Sequence, residues 1–134
     1  MKRQDVDRFE KLAGQVQSVY DEIAVLSKKS PNDAVNRFKL KFVNSLLTQG
    51  NELLGDEYAP FKDFSEFDDD DVPQNSDVVF ILSQYLQCFE KLRADNVEIR
   101  AGYRCWTVEA DEDEEGDELE QVYIRTVKPK RLRE

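Results

Sequence analysis

The chain has 134 residues, of which 40% are hydrophobic and 36% are charged, and its formal net charge is −10. This composition is typical of a soluble globular protein with one core, so we expect a single domain over residues 1–134. No run reaches the roughly 20 apolar residues of a membrane span, and the N-terminus lacks an apolar signal core. Its two cysteines, Cys88 and Cys105, are far apart in sequence and favour reduced thiols. We therefore expect a cytoplasmic protein.

Apolar residues in steps of three and four predict two helices in the first half of the chain. The first covers residues 4–28, and its seam consists of Phe9, Leu12, Val16, Val19, Ile23 and Leu26. The second covers residues 32–54, with Ser30 or Asn32 as its cap and Gly55 as its stop. Its expected buried face consists of Val35, Phe38, Phe42, Val43, Leu46, Leu47, Leu53 and Leu54.

A third helix is expected over residues 76–94, with Ser76 as its N-cap. Its seam consists of Val78, Leu82, Tyr85, Phe89 and Leu92. Further apolar residues broaden this seam, which indicates a central helix covered on two sides. The short connection between the first two helices predicts that they run antiparallel. The heptad-like seams also allow a homodimer.

The segment YAPFKDFSEFDDDD, residues 58–71, has aromatic residues three apart and ends in four consecutive aspartates. This spacing predicts a short aromatic helix or 3₁₀ turn whose rings lie on one face. The rings either close one end of the bundle or form an exposed docking patch with an acidic rim. The single tryptophan is likewise either a lid on the core or an interface anchor. The candidate partner-binding residues are Tyr58, Phe61, Phe64, Phe67, Asp68, Asp69, Asp70, Asp71 and Trp106.

From Val97 the apolar period changes to two. Alternation through Cys105, and again over residues 122–127, predicts an antiparallel hairpin over about 97–128, whose two strands are joined by the acidic loop. In this scheme Trp106 and Val108 fall on the charged face of the first strand. Residues 129–134 form a basic tail.

Two acidic islands account for the charge imbalance. Residues 56–76 carry eight acidic groups and one basic group, net −7, and residues 109–120 carry nine acidic groups and no basic group, net −9. Such islands repel nucleic acid and attract basic protein surfaces, although a solvated loop is the commonest role of a charge run. A basic cluster is formed by Lys28, Lys29, Arg37, Lys39 and Lys41. It suggests either nucleic-acid contact, which we do not favour, or internal pairing with an acidic island.

The sequence offers no catalytic chemistry that we can assign. The absence of histidine excludes Ser–His and Cys–His nucleophile pairs and most zinc sites. Residues 111–116 match the start of a calcium-binding EF-hand loop, but Val122 stands where that loop needs a bidentate glutamate. Consecutive aspartates at 68–71 point in diverging directions and make a poor magnesium site. We therefore predict no catalytic residue, no cofactor and no metal site.

These observations predict an α+β, mainly α fold: a three-helix, coiled-coil-like bundle with a short aromatic helix and a C-terminal antiparallel β-hairpin. The expected function is that of a non-catalytic protein-interaction subunit or adaptor in a larger cytoplasmic assembly. The partner would be a protein with a basic or apolar surface. The main alternative is an acidic nucleic-acid mimic that blocks a DNA- or RNA-binding protein, similar in composition alone to small acidic phage antagonists. A carboxylate-based metal enzyme is a third hypothesis. Small accessory proteins of bacteria and their phages often share this size and charge.

Overall fold

The structure is a computed structural model that describes residues 1–108 and 124–126. It contains helices α1 (Arg3–Lys29), α2 (Arg37–Tyr58) and α3 (Asn75–Asp95), followed by strands β1 (Val97–Arg100), β2 (Tyr103–Trp106) and β3 (Ile124–Arg125). Three packed helices and a C-terminal antiparallel hairpin confirm the predicted α+β, mainly α class. The second acidic island, the residues tested as an EF-hand loop and the basic tail lie outside the described residues.

Helix α1 closely matches its predicted bounds and packs antiparallel to α2. Phe9, Leu12, Val16 and Ile23 of its seam are almost completely buried. Val19 is half-buried, and Leu26 in the last turn is exposed, so its predicted burial was wrong. Two ion pairs between the helices show their relative direction. Arg8 near the start of α1 pairs with Glu52 near the end of α2, whereas Glu22 near the end of α1 pairs with Lys39 near the start of α2.

Helix α2 begins at Arg37 and not at residue 32. Its N-cap is Asn36, whose Oδ1 accepts a hydrogen bond from Phe38 N at 2.7 Å, so the predicted caps Ser30 and Asn32 were wrong. The residues before it pair with a distant segment: Val35 N donates to Pro73 O, and Asn75 N donates to Asp33 O. Because the Asp33 carbonyl accepts from Asn75, it is not available to accept the intrahelical bond from Arg37 that a helix starting at residue 32 would need.

The buried face of α2 differs from the predicted one at its first turns. Leu40, Val43, Leu47 and Leu54 are buried, whereas the side chain of Phe38 is 70% exposed and that of Phe42 is 50% exposed. With roughly 100° of rotation per residue, Phe38 lies almost opposite Leu40 and cannot share its face. Gly55 adopts a non-helical conformation (φ 63°, ψ −172°) that kinks the helix at the predicted stop, and one further turn follows.

Helix α3 contacts both other helices, as its broad apolar seam predicted. All five predicted seam residues are buried. The helix begins at Asn75, after Gln74, whose N donates to the Asp77 carboxylate at 2.9 Å, so Ser76 is not the N-cap. Tyr58 at the end of α2 donates to Asp95 at the end of α3, so these two helices run parallel.

Residues 59–74, here called the strap, connect α2 to α3 and contain no aromatic helix. Ala59 is extended (ψ 137°) because Pro60 disfavours helical geometry in the residue before it. The only helical part of the strap is the 3₁₀ turn Asp69–Asp71, so the predicted aromatic helix was wrong. The strap runs back along α2, since Ser65 O accepts from Asn51 and Phe67 O accepts from Asn44. This return path allows α3 to run parallel to α2.

The C-terminal hairpin is tighter than predicted. Ala101 and Gly102, with φ values of 50° and 82°, form the turn between β1 and β2, so the expected uninterrupted strand from Val97 to Cys105 was wrong. Strand β3 lies in the predicted second strand and pairs antiparallel with β2, which gives the sheet order β1-β2-β3.

Trp106 belongs to the core and not to the charged face on which it was predicted. Across the two-residue turn, an odd-numbered residue of β1 pairs with an even-numbered residue of β2, so Trp106 shares a face with Val97. Its side chain is 0% exposed, and its ring packs edge-on against Phe9 with centroids 5.2 Å apart. The lid alternative is therefore the one that agrees with the structure.

The carboxylate of Glu10 joins the sheet to the bundle. Its Oε1 accepts from Trp106 Nε1 at 2.8 Å and from Thr126 Oγ1 at 2.7 Å. Its Oε2 accepts from the buried Arg93 guanidinium at 2.9 Å. Arg93 also donates to Glu90 at 2.8 Å, and its guanidinium lies over the Phe9 ring, 5.5 Å from the centroid. The Glu10 carboxylate thus connects α1, α3 and the sheet.

We predict that Glu10→Ala lowers the free energy of unfolding by roughly 2–4 kcal/mol, because it removes the acceptor of two neutral donors and of a buried cation. Urea unfolding followed by far-UV circular dichroism measures this change. Glu22→Ala is the matched control, because its ion pair with Lys39 is exposed and worth less than about 1 kcal/mol. Equal effects of the two substitutions would contradict the central role of Glu10.

Candidate functional site

Two asparagines of α2 hold the strap in place. Asn44 Nδ2 donates to Phe67 O, and Asn44 Oδ1 accepts from Phe67 N, both at 2.9 Å. Asn51 lies two turns further along the same face; its Nδ2 donates to Ser65 O at 3.0 Å, and its Oδ1 accepts from Tyr85 Oη at 2.7 Å. The strap therefore has a defined path although it lacks regular secondary structure.

The strap brings three of the four predicted aromatic residues together. Phe61 and Phe64 are in edge-to-face contact with centroids 6.2 Å apart, and Phe64 and Phe67 are 5.1 Å apart. All three are half-buried, and Phe64 and Phe67 pack against the main core. Tyr58 lies at the end of α2 and is not part of this group of three rings. The rings therefore anchor the strap along α2 and leave part of their surface exposed, and docking of a partner by them stays a prediction.

A shallow apolar depression of about 390 Å³ lies between the strap and α3. It is lined by Pro60, Phe61, Phe64, Phe80 and Ile81, with Lys62 and Asp63 at its edge. The side chain of Phe80 is 57% exposed. Sequence reasoning missed Phe80, although its place in a helix that is apolar around most of its circumference was the available signal. Trp106 is buried elsewhere and does not line this depression.

The aspartates continue the strap as an exposed acidic segment. Asp68 Oδ1 accepts from Asp70 N at 3.0 Å and so caps the 3₁₀ turn, while Asp69, Asp70 and Asp71 remain exposed. On the flank towards α2, a mixed-charge cavity of about 780 Å³ is lined by Arg37, Lys41, Asn44, Glu66, Phe67, Asp68 and Asp69. Part of the acidic segment therefore faces cations of the same chain.

The residues of the predicted basic cluster have different surroundings. Lys28 and Lys29 lie in the last turn of α1, and Lys39 pairs with Glu22 at 2.9 Å. Arg37 and Lys41 line the cavity that Asp68 and Asp69 also line. This arrangement favours internal charge compensation over contact with nucleic acid.

Tyr58 and Asp95 perturb each other at the joined ends of α2 and α3. The hydrogen bond to Asp95 raises the pKa of Tyr58 from 10.0 to about 12, since ionisation would place two negative charges together. Hydrogen bonds from Lys91 and Tyr58 lower the pKa of Asp95 below 3.8. Burial raises the pKa of the Cys88 thiol, which is in keeping with an unreactive filler.

In the part of the chain that the structure describes, no cluster of three or more cysteine, aspartate or glutamate side chains could hold a metal ion, and Asp68–Asp71 form no exception. No helix within residues 1–108 and 124–126 has both the length and the apolar character to cross a membrane. Comparison with protein-family models, with curated proteins and with solved structures finds no match to this chain. The function must therefore be argued from the surface itself.

We predict that Asn44→Ala destabilises the protein by about 1–3 kcal/mol, because it removes two hydrogen bonds to the Phe67 backbone. Amide hydrogen exchange at Phe67 should become faster than in the wild type. Gln49→Ala on the same helix is the control, because within residues 1–108 and 124–126 its amide bonds to nearby Ser45 and not to the strap. Unchanged Phe67 exchange in Asn44→Ala would show that the strap is held by its rings alone.

The Tyr58–Asp95 bond predicts a pH dependence at alkaline pH. The neutral phenol is favoured in the folded state, so its stabilising contribution is complete below pH 10 and is lost as pH rises through about 12. For Asp95, whose pKa is lowered, the contribution is present above pH 3.8 and is lost as pH falls. Absorbance at the tyrosinate band should show Tyr58 titrating near 12, and burial also raises the pKa of the Tyr85 phenol. Tyr58→Phe should therefore reduce the amplitude of the alkaline step by one tyrosine, and an unchanged amplitude would contradict the assignment.

Proposed function

We propose that this protein is a non-catalytic adaptor or accessory subunit that docks a partner protein on the surface formed by the strap and α3. The observation that carries the proposal is the apolar depression between the strap and α3, which includes the half-exposed Phe80 of α3. The strap residues that line this depression precede the acidic segment on the same strap. An apolar surface next to concentrated charge is the usual anatomy of an interface core and its rim. A cytoplasmic location forms part of the proposal.

The chemistry of the depression indicates what kind of partner it would bind. An apolar or aromatic side chain would enter between Phe61, Phe64 and Phe80, where burial of apolar area provides most of the affinity. Residues 56–76 carry eight acidic groups against one basic group, net −7, so lysine or arginine side chains of the partner would face the aspartates. We therefore expect a partner segment with an apolar anchor and flanking basic residues.

The strap is suited to this role because it is ordered before binding. The clamps from Asn44 and Asn51 fix its backbone, and the contact between Phe64 and Phe67 fixes its rings. A surface that is already ordered loses less conformational entropy when a partner binds. The exposed rings can therefore serve as a docking surface without a folding step.

The acidic nucleic-acid mimic is less well supported by this surface. A mimic has to present its carboxylates outward to the protein it blocks, in place of phosphates. Here Asp68 and Asp69 line a cavity together with Arg37 and Lys41, which compensate part of their charge. The depression beside Phe80 would also have no role in such a mechanism. Affinity capture at low and at high salt, with DNA as a competitor, distinguishes these two functions.

We predict that Phe80→Ser reduces capture of the partner more than tenfold, as expected for an aromatic anchor at the centre of an interface. The measurement is quantitative affinity capture from host cells by immobilised wild-type and variant proteins, at low and at high salt. Binding by the purified captured protein is then measured directly. Ile99→Ser is the matched control, because Ile99 is 64% exposed on β1 and does not line the depression.

An adaptor interface should keep most of its affinity at high salt, and DNA should not displace the partner, because its contacts are largely apolar. Replacement of Asp69, Asp70 and Asp71 by asparagine should reduce the salt dependence and slow association. Capture that is unaffected by Phe80→Ser would refute docking at the depression. A DNA-binding protein that is released by DNA or by salt would instead support the mimic.

A further inference from the structure

The α1 and α2 helices form a second surface on the flank of α2 that faces away from the strap. A groove of about 570 Å³ lies between them, with an apolar floor of Leu12, Val19, Leu46 and Phe42. Its α1 lining runs from Arg8 to Val19, which at 1.5 Å per residue corresponds to roughly 16 Å, or three helical turns. The ion pairs Arg8–Glu52 and Lys39–Glu22 cross between the helices near its two ends.

The lining of this groove has the periodicity of a helix-packing seam. Residues Arg8, Lys11, Gln15 and Ser18 follow steps of three and four along α1, and Phe42, Ser45 and Gln49 do so along α2. Small hydroxyl side chains at Ser18 and Ser45 flank the apolar floor and leave space above it. Two ridges at this spacing with a hollow between them are the complement of a third helix.

Phe42 and Phe38 stand at one end of the groove and are the most unusual feature of α2. Their rings are in edge-to-face contact with centroids 5.0 Å apart, yet Phe42 is 50% exposed and Phe38 is 70% exposed. Exposing two adjacent aromatic rings forgoes hydrophobic stabilisation that burial would supply. The pair extends the apolar floor outward, so a helix lying in the groove would cover it.

The charged residues that line the groove indicate what kind of partner it would bind. Its lining contains two charged residues, Arg8 and Lys11. Arg8 is paired with Glu52, so Lys11 is the one that an occupant would meet without an ion pair among the described residues. A second copy of the chain, whose net charge is also −10, would be repelled by the first, which disfavours a homodimer on this face. We propose that the α1/α2 groove binds an amphipathic helix of a partner protein that carries apolar residues on one face and acidic residues beside them. This is the helix-in-groove mode of recognition, with anchors at steps of three and four.

The test uses fluorescein-labelled helical peptides of about 18 residues, or roughly 27 Å. One peptide has leucine on one face and glutamate elsewhere, and its counterpart has lysine in place of every glutamate. Fluorescence anisotropy is measured at about 150 mM salt, where charges more than ~8 Å apart are largely screened. Local charge in the groove then outweighs the net charge of the protein, which by itself would favour the lysine peptide.

We expect the glutamate peptide to bind at least about fivefold more tightly than the lysine peptide, from the cations near the groove. Lys11→Glu should remove this preference, and Phe42→Ser should weaken binding of the glutamate peptide more than about tenfold. Phe80→Ser, a matched substitution of an exposed phenylalanine on α3, should leave binding unchanged. Circular dichroism checks that each variant remains folded, and Phe38→Ser replaces Phe42→Ser if the latter does not.

Three results would overturn the proposal. The first, measured in Phe80→Ser so that the depression between the strap and α3 does not contribute, is equal binding of the two peptides, a preference for the lysine peptide, or no saturable binding at about 1 mM. The second is binding of the glutamate peptide that neither aromatic substitution weakens. The third comes from sedimentation equilibrium: a wild-type dimer that Phe42→Ser converts to a monomer would assign the groove to a second copy of this chain.

Discussion

The position of the sheet depends on the hydrogen bonds that converge on Glu10. A two-stranded hairpin is marginally stable by itself, and β3 adds only two residues to it. The Glu10 carboxylate accepts from Trp106 and Thr126, which fixes the sheet on α1. Arg93 supplies the balancing charge from α3, and its planar guanidinium also covers the Phe9 ring. The same residues place the large Trp106 side chain in the core, so hydrophobic burial and charge pairing support each other at this joint.

The apolar periodicity predicted the helices better than it predicted their ends. The α3 seam is fully buried as expected, and so are Phe9, Leu12, Val16 and Ile23 of the α1 seam, whereas Val19 is half-buried and Leu26 is exposed. The predicted start of α2 was wrong because Val35 and Asp33 pair with the backbone around the start of α3. Local sequence does not reveal this long-range contact. The strap was mistaken for a helix because a spacing of three also suits an extended chain fixed at intervals. Its determinants, Asn44 and Asn51, resemble ordinary exposed helix residues in the sequence.

Trp106 illustrates how one missed turn changes the functional interpretation. Alternation of apolar residues continues through Ala101 and Gly102, and Ala-Gly lacks the Asn or Asp that usually marks a tight hairpin turn. Without the turn, Trp106 falls on the charged face of a long strand and becomes a candidate interface anchor. With it, the pairing of Trp106 with Val97 turns the tryptophan inward. The exposed phenylalanines of the described chain lie instead on α2 and α3, where the sequence pattern had assigned Phe38 and Phe42 to the core and passed over Phe80.

Helix α2 separates two surfaces of opposite charge. Asn44 on one flank holds the strap and its acidic segment, whereas Phe42 and Ser45 on the other flank line the cationic groove. Because the two flanks use different residues of a helix whose buried face is packed between α1 and α3, occupation of one surface does not require rearrangement of the other. Because α3 runs parallel to α2, the connection must return along the length of α2, and the strap follows this path. The same topology places the acidic segment of the strap and the α1/α2 groove on opposite flanks of α2.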